Sequence, residues 1–324
     1  MSTFTGRRAT RVCIAAAISA VLAGAALAQS GRQIRFVVPF PAGGGADLLT
    51  RVLAGQIGRT QNVTTVIENR PGAASVIGTE AVSRAAPDGN TVLIIANSFI
   101  IHPNFKKLTY DPITSFEPIC LLATSPQVIV VNSTSPYRSL TELMNAARAE
   151  PGKLSHASVG PATTQQIAFE QLKLLAKVNM VYVPFNGNGP ALNSLLGGHV
   201  TAVLANYAEA AEHIKGGKLR AIATGSKKRI EPLADIPTIA EQGFKDYEVE
   251  VWYGLVAPAK TPKATVDQLS DWCAAGMLAP ELKAKWDVQG LTPVGRPAAD
   301  FAKHLRQQRD EYAQVIKDAG IKGE

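Results

Sequence analysis

The segment best suited to bind a ligand is a run of small residues between an apolar strand and an amphipathic helix. It reads Phe40-Pro41-Ala42-Gly43-Gly44-Gly45-Ala46-Asp47. The first N–H groups of a helix lack intrahelical acceptors and lie at the positive end of the helix dipole, so an anion can bind there. Glycines let the backbone approach that anion without an intervening Cβ. The pattern therefore predicts an anion site, although a tight turn alone would use the same glycines.

Other predicted strand ends carry glycines or polar side chains that could face the same crevice. Ser158, Gly160, Thr163 and Thr164 lie before one helix, where the threonines would either cap the helix or contact a ligand. Two further turns contain Phe185, Asn186, Gly187, Asn206 and Tyr207. Because α/β folds bind ligands at the carboxyl ends of their strands, the joint occurrence of these turns favours a binding site.

The motifs of catalysis and metal binding are incomplete. Leu48 stands where a dinucleotide-binding fingerprint needs its last glycine. The segment from His156 to Gly160 resembles a nucleophile elbow around Ser158, but His156 occupies the first glycine position. The five histidines lack the spacing of zinc ligands. We expect no enzyme activity, no cofactor and no metal, with a secreted hydrolase using Ser158 as an alternative.

The N-terminal segment is typical of a secretory signal peptide. Arg7, Arg8 and Arg11 are followed by an apolar run, and Ala26-Leu27-Ala28 offers a cleavage site. Cleavage there would leave 296 residues and lower the formal charge from +7 to +4, because three arginines and no acidic residues are removed. We expect export to the periplasm. So modest a charge, without a basic stripe interleaved with aromatic residues, argues against nucleic-acid binding.

Short apolar strands alternate with helical patterns along the remaining chain, which predicts an α/β protein with mainly parallel sheets. Predicted strands cover residues 34–38, 63–67, 91–95, 128–131, 180–183, 200–204 and 219–223, and predicted helices include residues 140–149, 164–177, 189–197 and 207–215. Two crossings of the chain divide it, after a signal peptide at residues 1–28, into lobe 1 (residues 29–124 and 254–324) and lobe 2 (residues 125–253). Cys120 and Cys273 are expected to be buried and free.

A series of short motifs, in this order and over essentially the whole mature chain, resembles the Bug-type receptors, the periplasmic substrate-binding receptors of tripartite tricarboxylate transporters. The motifs are Val38 to Asp47, Glu68-Asn69-Arg70-Pro71-Gly72-Ala73, Ala86-Pro87-Asp88-Gly89-Asn90-Thr91, Pro151-Gly152-Lys153-Leu154, Val183-Pro184-Phe185-Asn186-Gly187, Ile236 to Gly243 and Trp252 to Pro258. The resemblance implies a two-lobed, Venus-flytrap, type II-like periplasmic-binding-protein fold with a mainly parallel sheet in each lobe. It also implies a monomer that delivers a small organic carboxylate to integral-membrane transporter subunits. A ligand sensor for a membrane signalling partner is a second alternative.

The resemblance further implies how the ligand is held. The turn from Phe40 to Asp47 would hold one carboxylate, and the turn from Ser158 to Thr164 would hold the other end from the opposite lobe. The remaining site residues are Ser98, Phe99, Phe185, Asn186, Gly187, Asn206 and Tyr207. The chain departs from the usual family pattern at Phe99, Ala162, Gln166, Thr201 and Asn206, so the usual di- or tricarboxylate ligand is not assumed.

Four of the aromatic residues lie at or near these turns, namely Phe40, Phe99, Phe185 and Tyr207. Rings in the site would favour a flat or partly apolar carboxylate over citrate, because they bury apolar area and stack on flat groups. The alternative is that the rings pack inside the lobes and never meet the ligand.

Overall fold

The computed structural model describes residues 31–73, 75–160, 162–185 and 187–321. The expected signal peptide at residues 1–28 and the expected site residue Asn186 lie outside these ranges. Within them, no helix combines the length and the apolar content that are needed to span a bilayer.

The described residues form ten strands and ten α-helices. The strands are β1 (Gln33–Val38), β2 (Thr64–Asn69), β3 (Thr91–Ala96), β4 (Phe116–Asn132), β5 (Ser155–Ser158), β6 (Val181–Pro184), β7 (Ala202–Asn206), β8 (Leu219–Thr224), β9 (Glu250–Pro258) and β10 (Thr292–Pro297). The helices are α1 (Gly45–Gln61), α2 (Val76–Ser83), α3 (Ser98–Ile101), α4 (Leu140–Ala149), α5 (Thr164–Ala176), α6 (Asn188–Leu196), α7 (Tyr207–Lys215), α8 (Lys263–Met277), α9 (Lys283–Val288) and α10 (Ala298–Asp318).

Helix α4 shows why the sequence pattern located several boundaries well. Its N-cap is Ser139, whose hydroxyl accepts a hydrogen bond from the N–H of Glu142 at 3.1 Å. The Glu142 carboxylate in turn accepts one from the N–H of Arg138 at 2.6 Å. The first bond satisfies a donor that the first helical turn leaves unpaired, and the second holds the residue before the N-cap against the helix start. The helix begins and ends at the residues that the periodicity predicts.

The sheets are mixed, which corrects the expectation of mainly parallel sheets. In the first sheet β1 pairs in parallel with β2 and β3, but β9 runs antiparallel to both β3 and β4, and β10 runs antiparallel to β4. In the second sheet β5 pairs in parallel with β6 and β7, while β4 runs antiparallel to β7 and β8. Strand–helix–strand units give the parallel pairs. The antiparallel pairs arise because β4 and β9 carry the chain between the lobes in opposite directions.

Strand β4 belongs to both sheets. It is a single strand of 17 residues. Up to Pro126, whose partner is Glu250, it pairs with β9, and from Gln127 onward it pairs with β7 and β8. Strand β4 therefore changes partners between residues 126 and 127. The first expected lobe boundary, between residues 124 and 125, lies two residues earlier.

Each sheet is covered on both faces by apolar side chains. In the first sheet, Ile34, Leu49, Ile94 and Leu255 belong to a core that α1 and α8 help to form. This core also contains Cys120 and Cys273, which are buried and free, as expected. The second sheet has two such cores, around Ile129, Leu143, Phe169 and Leu204 on one face and around Val130, Leu192, Val203 and Tyr207 on the other.

The opposite face of the first sheet packs closely against α10. The ring of Phe301 in α10 lies directly over Gly254 in β9, where a Cβ would be only 2.1 Å from the ring atom Cζ. Phe301 is fully buried and meets Trp252 edge to face, with ring centroids 6.0 Å apart. A glycine is therefore required at this point of β9.

Helix α10 also connects the two lobes. The hydroxyl of Tyr312 accepts a hydrogen bond from Asn97 Nδ2 at 2.9 Å, at the end of β3, and hydrogen-bonds with Thr164 at the start of α5. Burial raises the pKa of Tyr312 to about 12. Next to these contacts, Ile101, Ile167 and Ile316 form a small apolar cluster. The start of α5 is thereby held against lobe 1.

Candidate functional site

The glycine turn is exposed. Residues 41–45 are exposed, and Phe40 is half-buried against the core of lobe 1. Gly43 has φ of +81°, a left-handed conformation that favours glycine. Gly44 is the N-cap of α1 and provides no side-chain cap. The N–H groups of Gly45 and Ala46 at the start of α1 have no intrahelical acceptor. The turn can therefore receive an anion through its backbone.

Asp47 supports this turn from inside. Its side chain is 1% exposed. Oδ2 accepts hydrogen bonds from the N–H of Gly43 at 2.8 Å and from Arg51 Nε at 2.9 Å, and Oδ1 accepts one from Asn69 Nδ2 at 3.0 Å. Burial raises the pKa of Asp47, but the hydrogen bonds from Arg51, Gly43 and Asn69 together hold it below its ordinary value. Asp47 is thus a positioning residue, and the N–H of Gly43 is already occupied.

Replacing Asp47 by alanine should lower the free energy of unfolding by about 2 kcal/mol at pH 7, because buried donors lose their acceptor. The folded-state pKa lies below the ordinary 3.8, so the stabilisation is present above that pH and is lost as the pH falls through the folded-state value. Urea unfolding at pH 7 and at pH 3 measures both effects. The difference between wild type and variant should shrink at the lower pH, and an equal difference at both would contradict this account. Asp267→Ala, which removes an exposed ion pair with Lys263, is the matched control.

In the predicted turn of lobe 2, which includes Ser158, Gly160 and Thr163, the polar side chains form hydrogen bonds within the lobe. Ser158 is fully buried, and its hydroxyl donates to Tyr182 Oη at 3.2 Å, so its side chain points into the lobe. Thr163 Oγ1 donates to the carbonyl of Gly160 at 2.8 Å and accepts from the N–H of Gln166 at 3.4 Å. Thr163 is therefore the N-cap of α5, in agreement with the capping interpretation of the sequence. The neighbouring turn is tied to this one, because the N–H of Phe185 donates to the carbonyl of Ser158 at 3.0 Å.

The remaining predicted residues occupy varied environments. Phe185 is half-buried, and so is Gly187, the N-cap of α6 with φ of +115°. Ser98 is half-buried, with its Oγ 3.4 Å from Ser75 Oγ. Thr164 is buried at the contact with Tyr312.

Two of the predicted aromatic contacts are corrected by the structure. Phe99 is 2% exposed and packs in the core of lobe 1, with its ring centroid 5.2 Å from that of Phe116 and 6.3 Å from that of Tyr110. The side chain of Tyr207 is buried in the core of lobe 2. Both residues follow strands whose inward-facing side chains are apolar, and both rings pack in the cores that those strands help to form.

A network of amide side chains, which sequence reasoning missed in part, lies at the strand ends of lobe 2. Asn206 Oδ1 accepts hydrogen bonds from Gln127 Nε2 at 2.7 Å and from Gln165 Nε2 at 3.2 Å. Asn206 Nδ2 donates to Glu209 Oε1 at 2.8 Å. The network joins β4, the first turn of α5, the end of β7 and the first turn of α7. Asn206 was predicted, but nothing in the local sequence indicates that Gln127 and Gln165 would meet it.

Tyr253 is the most informative residue that sequence reasoning missed. Its hydroxyl lies 3.4 Å from where a Cβ on Gly45 would be, at the start of α1. Burial, reinforced by the negative charge of Glu209, raises the pKa of Tyr253 to about 12. The hydroxyl therefore stays protonated and can donate at neutral pH. Tyr253 thus lies next to the start of α1, and the charge of Glu209, at the start of α7, contributes to its electrostatic environment.

A cavity lies elsewhere, between α10, α5 and the segment before β9. Its volume is about 730 Å³, and its lining includes Glu248, Glu250, Trp252, His304 and Glu311. Burial, and then the charges of Glu250 and Glu311, raise the pKa of Glu248. Such a lining would repel a carboxylate, and it contains none of the predicted site residues. We therefore place the candidate site at the start of α1. In the described part of the chain, no group of three or more His, Cys, Asp or Glu side chains could hold a metal ion.

Comparison with solved structures agrees with this architecture. The periplasmic binding protein BugD is 34% identical, with a TM-score of 0.76 over 90% of this chain and 99% of its own. Rpa4515 of R. palustris, solved with adipate, is 29% identical, with a TM-score of 0.80 over 90% of this chain and 99% of its own. MatC from Rhodopseudomonas palustris, solved with malate, is 27% identical, with a TM-score of 0.74 over 88% of this chain and 99% of its own. These similarities confirm the periplasmic-binding-protein fold.

The sequence profile described as "Tripartite tricarboxylate transporter family receptor" matches residues 49–321. This range begins inside α1 and includes the whole of lobe 2, β9 and α10. The family implied by the order of the sequence motifs is thereby confirmed. The chain belongs to the tripartite tricarboxylate transporter family of receptors.

Proposed function

We propose that the protein is a periplasmic receptor, which binds a small organic carboxylate between its lobes and passes it to the membrane subunits of a tripartite transporter. The observation that carries this proposal is the exposed start of α1, whose N–H groups and the nearby hydroxyl of Tyr253 form a set of donors for a carboxylate. Two similar proteins were solved with dicarboxylates, adipate and malate. The expected signal peptide supplies the route to the periplasm.

The contacts of Ser158 favour a receptor over a hydrolase. A serine nucleophile needs an accessible hydroxyl next to a general base. The Ser158 hydroxyl is buried and donates to Tyr182. The nearby His156 is also fully buried, with Nε2 3.1 Å from Glu170 Oε1 and its ring stacked on Phe169. Both side chains are therefore packed and hydrogen-bonded inside lobe 2.

The lobe arrangement supports closure around the ligand. The start of α1 lies on lobe 1, and the network around Asn206 lies on lobe 2, with β4 and β9 between them. A ligand that contacts both sides would favour a closed state. We propose lobe boundaries at 124/125 and 253/254, and that the receptor acts as a monomer.

The test combines binding with shape, on the chain that begins at residue 29. Calorimetric titration with a panel of small mono-, di- and amino-carboxylates should show saturable binding of at least one. Small-angle scattering should then show a smaller radius of gyration at saturation than in protein stripped of ligand. Absence of binding across the whole panel would overturn the receptor proposal. Binding with an unchanged radius would overturn closure alone.

A further inference from the structure

The side of the crevice that lobe 2 provides carries a fixed negative charge. Glu209 lies in the first turn of α7 and is exposed. Its Oε1 accepts hydrogen bonds from Asn188 Nδ2 and from Asn206 Nδ2, both at 2.8 Å. Two donors on one oxygen hold the carboxylate in a single orientation. Both bonds end on Oε1, so Oε2 can accept a hydrogen bond from outside the protein.

Asn188 supplies a second acceptor next to Glu209. It is 6% exposed and is the first residue of α6. Because its Nδ2 donates to Glu209, the orientation of the amide is fixed. Its Oδ1 is buried and has no hydrogen-bond partner among the residues that the structure describes. A buried acceptor without a donor is unfavourable, and a donor that arrives with a ligand would remove that penalty.

Glu209 lies close to lobe 1. Ala208, the residue before Glu209, packs against Gly290, where a Cβ would be 2.7 Å from the Ala208 Cβ. The charge of Glu209 also reaches Tyr253, whose hydroxyl lies at the start of α1. Glu209 is thus next to a contact between the lobes, and its charge acts on the residue whose hydroxyl lies beside the anion donors of α1.

We propose that Glu209 and Asn188 form an ammonium subsite, and that the protein binds an amino-carboxylate whose carboxylate lies at the start of α1. The inference rests on the proposed function and specifies its ligand class. A second carboxylate in this subsite would meet the like charge of Glu209, whereas an ammonium group would donate to Glu209 Oε2 and to Asn188 Oδ1. Glu209 is then the residue that determines specificity between zwitterions and dicarboxylates.

Pairs of probes matched in length test the proposal by calorimetric titration. They are 3-aminopropanoate with succinate, 4-aminobutanoate with glutarate, and 5-aminopentanoate with adipate; 5-hydroxypentanoate tests an uncharged donor. In at least one pair, the wild type should bind the amino acid about tenfold or more tightly than the dicarboxylate, as expected for a hydrogen-bonded charge pair. Glu209→Gln should remove most of that preference, and Glu209→Lys should reverse it.

Glu212→Gln is the matched control, because Glu212 is an exposed glutamate on the same helix, where it pairs with Lys215. It should leave the preference unchanged. The inference is overturned if the dicarboxylate binds more tightly in every pair, if 5-hydroxypentanoate binds as tightly as 5-aminopentanoate, or if Glu209→Gln weakens both members of a pair equally. In these cases carboxylate binding persists and the receptor proposal stands. If neither member of any pair binds, this inference is overturned, and the receptor proposal is decided by the remaining carboxylates of the panel.

Discussion

Gly254→Ala is expected to lower the free energy of unfolding by about 3 kcal/mol, at the upper end of the usual cost of overpacking. The added Cβ would be 2.1 Å from Phe301 Cζ and 2.7 Å from Cε1. The ring cannot move aside cheaply, because Phe301 is fully buried and packs against Trp252. Either β9 shifts in its sheet or α10 moves away from it. Urea unfolding followed by circular dichroism measures the loss.

A double-mutant cycle shows whether the ring is the cause. Phe301→Leu should cost stability alone, but in its presence Gly254→Ala should cost clearly less than it does in the wild type. Gly55→Ala is the control within α1, where the nearest atom to a new Cβ is Arg59 Nη1 at 3.9 Å. That change should be neutral or slightly stabilising. Strict additivity of Gly254→Ala and Phe301→Leu would show that the two residues do not interact as described.

The second large effect concerns binding. Gly44→Val should weaken the tightest-binding carboxylate of the panel by at least about tenfold, because hydrogen bonds to a charged group are worth about 1.5–3 kcal/mol each. The side chain would stand where the carboxylate must approach the first N–H groups of α1. The fold should survive, since Gly44 has φ of −75° and ψ of 167°, an extended conformation that valine also adopts. A new Cβ would meet only the Pro41 carbonyl oxygen, at 3.4 Å.

Calorimetric titration measures the affinity, and thermal melting checks that the variant is folded. Gly55→Ala again serves as the control, because it changes α1 almost three turns beyond its start and should leave the affinity unchanged. A Gly44→Val variant that binds as tightly as the wild type would remove the glycine turn from the site.

The sequence predicted the secondary structure well because most signals were local. Helix α4 follows directly from the spacing of its apolar residues and from Ser139 and Glu142 at its start. The mixed pairing was not predicted, because β4 and β9 look like ordinary apolar strands and their direction depends on partners that are distant in sequence. Strand β4 is also longer than its predicted segment, because Pro126 falls at the change of sheet without ending the strand.

Side-chain direction limited the prediction of the site. The turn before α1, where the sequence predicts an anion site, is exposed, because a Gly-rich turn at a strand end has few other possible placements. In contrast, Asp47 and Ser158 direct their polar groups inward, and Phe99 joins the core. The hydroxyl of Tyr253 reaches the start of α1 from the middle of a strand. The alternation of side chains along a strand predicts which residues share a face. It does not predict which neighbouring helix or strand packs against that face.

The pairing of Pro126 with Glu250 has a topological consequence. Seen from lobe 1, β4 and β9 are the two arms of a hairpin, and residues 127–249 are an insertion at its tip. Cross-strand partners lie only about 5 Å apart, so a short glycine linker could join the arms directly. Lobe 1 could then be made as one continuous polypeptide, and residues 127–249 as another. Chain termini that lie this close together are also where insertions and circular permutations are best tolerated.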